Sequence, residues 1–85
     1  MNIYHLSQEE NEGWDTFSDC VVVAENETEA RNVHPGAGYE PEWWTQKRFQ
    51  HGTWATKPEN IRVVCIGTAN ADQERDVVCA SFHAG

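Results

Sequence analysis

The chain has 85 residues, a formal net charge of −8 and three cysteines. This length fits a single small domain, residues 1–85, and excludes a second one. Apolar residues at 39% and aromatic residues at 11% are typical of a chain that builds a core, which argues against disorder. No apolar run approaches the roughly 18 residues of a membrane span, and no signal peptide follows Met1, so we expect a cytoplasmic protein.

Four segments have the β-branched or alternating apolar character of strands. They cover residues 2–7, 18–24, 61–67 and 76–83. The second is apolar almost throughout, which predicts a central position in the sheet. In the fourth, alternation places Val78, Ala80 and Phe82 on one face.

A short helix is predicted after the second strand, because Asn26 and Glu29 have the spacing of a capping box. Pro35 disfavours helical geometry at the residue before it, so this helix should stop near Val33. A second short helix could cover 41–49, since Pro41 suits a first helical position. The order β-β-α-β-β predicts an α+β fold: a small, mostly antiparallel four-stranded sheet with one short helix and an aromatic loop packed on one face.

The three cysteines form no CxxC pair, and each lies in an apolar, strand-like run. A free thiol there behaves as a small hydrophobic group, so we expect reduced core cysteines. A Cys65–Cys79 bridge between neighbouring strands is the alternative.

Metal binding would have to draw on these cysteines and on His5, His34, His51 and His83. Structural zinc sites pair their ligands closely, and only Cys79 and His83 have a short spacing here. A buried thiol and a terminal histidine explain that pair equally well. We therefore expect no metal and no cofactor.

The motifs of hydrolases, phosphate-binding loops and zinc peptidases (GxSxG, GxxxxGK[ST] and HExxH) do not occur in the chain. Ser81 and His83 share a predicted strand face, but residues two apart on a strand do not bond to each other. We expect no catalytic residues and a protein that is not an enzyme.

Five of the nine aromatic residues fall within residues 39–54, here called the aromatic segment. We expect most of these rings to cover the open face of the sheet, with one or two left exposed as binding anchors. Lys47 and Arg48 beside them would suit an acidic or phosphate-bearing partner. The candidate binding residues are Trp14, Asp15, Trp43, Trp44, Lys47, Arg48 and Trp54.

Ten of the fourteen carboxylates lie in residues 1–45, together with a single basic residue, Arg31. This asymmetry predicts a negative surface patch. Such a patch can occupy the basic groove of a nucleic-acid-binding protein by mimicking phosphates. Solubility alone is the alternative explanation. Direct binding of nucleic acid is not expected, because the net charge opposes it.

Several stretches resemble a family of small uncharacterised proteins of bacteriophages and prophages. They include GWDTFSD (13–19), VVAE (22–25), EAR (29–31), HP (34–35), WATKP (54–58), IGTA (66–69) and ASFHAG (80–85). The chain departs from the family pattern at Trp14 and Phe17, where tyrosine is usual, at Cys20, at His83, and in the long stretch 36–53. The resemblance implies a phage origin and an accessory role in infected cells, but no mechanism.

These observations favour a non-enzymatic phage or prophage accessory protein of the host-cell cytoplasm. It would bind and modulate a host or phage protein, anti-defence inhibition being one form of this, through an acidic surface and the aromatic loop. It would be a monomer or homodimer with no membrane contact. The alternative is a small-ligand or nucleotide-binding protein (a sponge), in which a base stacks on a tryptophan and Lys47 or Arg48 holds a phosphate. A third possibility is an assembly component that pairs through a sheet edge.

Overall fold

The computed structural model describes residues 1–50, 52–70 and 74–83. In chain order its elements are β1 (Asn2–Ser7), β2 (Thr16–Ala24), α1 (Glu27–Ala30), β3 (Val33–His34), β4 (Gly38–Tyr39), β5 (Arg62–Thr68) and β6 (Asp76–His83). Three single 3₁₀ turns, Trp43–Thr45, Lys47–Phe49 and Pro58–Asn60, lie between β4 and β5. The structure confirms a small α+β fold with a four-stranded antiparallel sheet and one short helix. No helix in the described ranges is long and apolar enough to cross a membrane.

The large sheet has the strand order β5-β1-β2-β6, and every neighbouring pair is antiparallel. β2 is therefore an inner strand, as its run of valines predicts. β3 and β4 form a separate hairpin, which the sequence did not predict. Gly38 turns this hairpin with a φ of +88°, a conformation that residues with a side chain rarely adopt.

One face of the large sheet carries the core. Tyr4 and Leu6 of β1 pair with Val22 and Cys20 of β2, and all four side chains are buried. The same cluster continues into the rest of the chain through Ala24, Ala30, Val33, Trp43, Trp54, Ala55 and Ile61. Residues from α1, the β3–β4 hairpin and the aromatic segment thus share one hydrophobic core with the sheet.

Register shifts interrupt the side-chain alternation of the edge strands. β6 pairs Val77 with Val22 and Cys79 with Val21, so that Val78 is an extra residue and the predicted alternation fails there. Both edge strands expose large apolar side chains: Val64 and Ile66 on β5, and Val78 and Phe82 on β6.

The cap of α1 forms as its sequence predicts, but the helix is shorter. The Asn26 side chain accepts a 2.8 Å hydrogen bond from the Glu29 amide. The helix ends at Ala30, and Val33, the predicted end, belongs instead to β3. The physical reason is Pro35: it favours extended geometry just before it, and the chain uses that geometry to form the hairpin.

The helix predicted over 41–49 is replaced by two separate 3₁₀ turns. Glu42 adopts a left-handed conformation with a φ of 55° before the first turn, and Gln46 is extended between the two. A continuous α-helix cannot pass through either conformation. The packing of Trp43 into the core overrides the helix propensity of this segment.

The expectation of three core cysteines is correct only for Cys20, because Cys65 and Cys79 are exposed. Burial raises the pKa of the Cys20 thiol to about 12, so this group stays a neutral packing unit. Cys65 lies on β5 and Cys79 on β6, at opposite edges of the sheet with two strands between them. A bridge between neighbouring strands is therefore wrong.

Candidate functional site

The connection between β1 and β2, residues 8–15, is named the acidic loop. It contains Glu9, Glu10, Glu12 and Asp15, and it also carries Trp14. The Trp14 side chain is 74% exposed, more than any other large hydrophobic side chain in the described residues. An exposed indole in a loop that carries four carboxylates is the first candidate site.

Hydrogen bonds at the base of the acidic loop fix its course. Gln8 is buried, and its amide nitrogen donates to the backbone carbonyls of Asn11 and Phe17 at 2.7 and 2.8 Å. Its carbonyl oxygen accepts from the Asn11 amide at 2.8 Å. At the tip, the Thr16 hydroxyl donates to the Gly13 carbonyl at 2.6 Å. Trp14 is thus presented by a loop that its own polar side chains hold in shape.

Asp15 follows Trp14 with a φ of 60°. This left-handed conformation is uncommon for residues with a side chain, and aspartate is one of the few that tolerate it. The strain lies at the tip of the acidic loop, beside the exposed indole.

The acidic loop is also tied to the far end of the aromatic segment. The Asn11 side chain donates to the Trp54 carbonyl at 2.7 Å, and the Glu10 carboxylate accepts from the Thr56 amide at 3.2 Å and the Asn60 side chain at 2.8 Å. These hydrogen bonds, chiefly from Thr56 and then from Asn60, hold the pKa of Glu10 below its usual value despite some desolvation. The two regions are therefore one connected structure.

The tryptophans of the aromatic segment differ from Trp14. Trp43 and Trp54 are each only 1% exposed, and Trp44 is half-buried edge-on to Trp43, with ring centroids 5.5 Å apart. The Trp43 indole N–H donates to the Arg31 carbonyl at 2.8 Å. Trp43 and Trp54 are thus core residues, and as exposed surface anchors these two candidates are wrong.

The two basic candidates do not gather at a phosphate-binding position. Lys47 and Arg48 are exposed in the second 3₁₀ turn. The Arg48 guanidinium lies 4.6 Å from the centroid of the Phe49 ring and donates to the Glu40 carboxylate at 2.8 Å. Its charge is already paired within the chain.

A cavity of about 240 Å³ lies inside the aromatic segment and the residues just after it. Its lining shares one property, the absence of formal charge: Trp43, Trp44, Phe49, Gln50, Gly52, Trp54, Ala55 and Thr56. Trp43, Trp54 and Ala55 are buried and form the floor, whereas Gln50, Gly52 and Thr56 are exposed and form the rim. This cavity is the second candidate site.

His34 stands behind the cavity wall and is only 4% exposed. Its ring lies 4.6 Å from Phe49 and 5.4 Å from Trp43, measured between centroids, and its Nδ1 accepts from the Gly36 amide at 3.0 Å. Burial lowers its pKa to about 4, against a small opposing effect of Glu40, so the ring is neutral at pH 7. Sequence reasoning considered His34 as one of the histidines available to a metal site, and no sequence signal marks it as a core residue.

Some carboxylates of the predicted negative patch have partners within the chain. Glu27 pairs with Arg31, Glu29 with Arg75 and Glu40 with Arg48, and an Asp19 carboxylate oxygen lies 2.9 Å from Nε2 of His5. The His5 hydrogen bond, followed by that of Ser18, holds the pKa of Asp19 below its usual value. In the described ranges, Glu9, Glu10 and Glu12 of the acidic loop form no ion pair.

Among residues 1–50, 52–70 and 74–83, no three histidine, cysteine, aspartate or glutamate side chains are grouped so that they could hold a metal ion. His51 and the side chain of His83, two of the histidines considered above, lie outside the described residues.

Searches of protein-family models, curated proteins and solved structures found no match to this chain. The molecule itself offers two candidate features: the acidic loop that presents Trp14, and the aromatic cavity, whose described lining residues are uncharged.

Proposed function

We propose that this protein is a non-enzymatic interaction protein that docks onto the basic surface of a partner protein through its acidic loop. The observation that carries the proposal is the 74% exposure of Trp14 in a loop with four carboxylates. Tryptophan is one of the residue types enriched among binding hot spots, because a partner that buries its ring removes a large apolar area from water. The other tryptophans, Trp43, Trp44 and Trp54, are at least half-buried. The exposure of Trp14 therefore supports a role for this side chain outside the core.

The shape of the acidic loop supports this function. Binding costs less when the binding loop is already ordered, because little conformational entropy is lost on association. The Gln8 and Thr16 hydrogen bonds order the loop in the free protein. The indole would bury its area against the partner, and the carboxylates would steer the encounter with a basic surface.

The charge of the acidic loop defines the class of partner. A basic nucleic-acid-binding groove is the complementary surface, and the phage origin that the resemblance implies would make the partner a host or phage protein. Inhibition of a host defence protein in the cytoplasm is one such role. In this proposal the aromatic segment serves the fold by packing over one face of the sheet, and the acidic loop is the docking surface.

The test compares captured proteins across matched variants. Tagged protein is incubated with host lysate at low and high salt, and bound proteins are quantified by mass spectrometry. Trp14→Ala removes the indole, and Glu9→Gln with Glu12→Gln removes two exposed charges. The controls change the same kinds of groups elsewhere: Ile66→Ala removes an exposed apolar side chain, and Glu25→Gln with Glu59→Gln removes two exposed charges outside the loop.

We expect a partner that both control variants retain, that Trp14→Ala loses at least tenfold, and that the double glutamine variant binds more weakly. Its capture should decline with salt, since exposed charges are screened. Partners that bind the wild type and Trp14→Ala equally would contradict the proposal, as would loss caused only by Ile66→Ala.

A further inference from the structure

We infer that the aromatic cavity is a binding site for a small, flat and uncharged heteroaromatic molecule that carries a hydrogen-bond acceptor on its edge. A free purine base has this chemistry. The inference is independent of the acidic loop and of the proposed protein partner.

The volume of the cavity limits the size of the ligand. A cavity of about 150 Å³ lined by apolar side chains is known to hold one benzene ring. The present cavity, at about 240 Å³, has room for two fused rings and is smaller than the pockets that hold drug-sized ligands. Its walls are the faces and edges of Trp43, Trp44, Phe49 and Trp54. Aromatic rings bind flat π systems by stacking or edge contact.

The hydrogen-bonding groups at the cavity limit the chemistry of the ligand. Trp54 lines the cavity, and its indole N–H is buried with no hydrogen-bond partner in the described residues. Buried polar groups in folded proteins almost always have a hydrogen-bond partner, so an unpaired donor on a residue that lines a cavity points to a ligand. The other such atom in the described residues is Nε2 of His34, whose ring packs against Phe49 and Trp43 of the same wall. Of these two residues only Trp54 lines the cavity, and an acceptor on a bound ring placed at its indole edge would satisfy this donor.

The charges around the cavity favour a neutral ring over a nucleotide. Every lining residue in the described ranges is formally uncharged. The Arg48 guanidinium stacks on the Phe49 ring and is paired with Glu40. The Glu10 carboxylate meanwhile binds the amide of Thr56 at the rim. None of the described lining residues is cationic, and the Glu10 carboxylate bound at the rim would repel a phosphate, so the favoured ligand is the neutral ring itself.

The experiment uses the full chain labelled with ¹⁵N, whose four tryptophans give indole N–H signals. Adenine is titrated to millimolar concentration, with AMP and indole as comparison ligands. AMP adds a phosphate, and indole keeps the two fused rings but lacks a ring acceptor. Two variants change the site. Ala55→Leu fills the cavity from its floor, and Trp54→Phe keeps a ring while removing the unpaired donor. The exposed Trp14 signal is the internal reference.

We expect adenine to shift the Trp54 signal and to leave the Trp14 signal in place. Ala55→Leu and Trp54→Phe should each weaken adenine binding at least tenfold, and indole and AMP should bind more weakly than adenine. The inference is overturned if the Trp54 signal stays unchanged at millimolar adenine, or if only Trp14 responds. Binding of AMP more tightly than adenine would refute the neutral ligand, and equal binding of indole would refute recognition through the acceptor.

Discussion

The acidic loop and the aromatic segment both place tryptophan on irregular backbone, yet they treat it in opposite ways. Trp14 is 74% exposed, whereas Trp43 is 1% exposed. The aromatic segment contributes to the hydrophobic core shared by the sheet, α1 and the hairpin, where Trp43 finds apolar neighbours and an acceptor for its N–H. The acidic loop leaves the sheet between two strand ends, and Trp14 has no place in that core. Access to this core, and not residue type, decides the role of each ring.

The largest expected effect on the free energy of unfolding comes from Trp43, the buried tryptophan of this comparison. Trp43→Ala should reduce the free energy of unfolding by about 3–5 kcal/mol, because it removes a fully buried ring and leaves a cavity. Urea denaturation followed by circular dichroism measures this. If the variant does not fold, Trp43→Phe keeps a ring, loses the bond to the Arg31 carbonyl, and should cost about 1–3 kcal/mol. Loss of less than about 1 kcal/mol for the alanine variant would contradict the assigned core role.

The next effect concerns His34 beneath the aromatic segment. Its pKa is lowered to about 4 in the folded chain from 6.5, so the unfolded chain binds the extra proton first as the pH falls. Stability should be complete above pH 6.5 and should fall by about 3 kcal/mol between pH 6.5 and 4. Urea midpoints across this range give the slope.

His34→Phe is the matched variant for the pH measurement. It fills the space between Phe49 and Trp43 without a titrating group, so its slope between pH 6.5 and 4.5 should be much smaller than that of the wild type. The carboxyls of Glu10 and Asp19, whose pKa values are lowered, contribute mainly below that window. An unchanged slope in the variant would show that another group controls acid stability.

A smaller effect is expected where the two regions meet. Asn11→Ala removes the 2.7 Å bond to the Trp54 carbonyl and should cost about 1–3 kcal/mol, since that carbonyl loses its partner. Glu12→Gln, an exposed change in the same loop, is the control and should alter stability by less than about 0.5 kcal/mol. Equal effects in thermal or urea denaturation would mean that the contact does not join the regions.

The smallest effect on stability should come from Trp14→Ala. The side chain contributes little to the core, so the free energy of unfolding should change by no more than about 0.5 kcal/mol. The same variant should lose partner capture. A large loss of stability in urea would instead make Trp14 a structural residue and remove the contrast with Trp43.

The sequence alone determines the local elements well. Periodicity and β-branched residues locate the four long strands within about two residues of their observed ends. The spacing of Asn26 and Glu29 likewise locates the cap of α1. These signals are local, because each depends only on neighbours along the chain.

Only the tertiary structure decides which side chains the sheet buries and what the candidate sites contain. The strand order places Cys65 and Cys79 on opposite edges, register shifts break the alternation at Val78, and the core takes up Trp43 while Trp14 stays outside. The cavity and the neutral His34 also arise from segments that come together only in the folded chain. Local sequence patterns indicate which conformation a segment prefers. The burial of a side chain depends on which distant segment packs over it, and no single stretch of sequence contains that information.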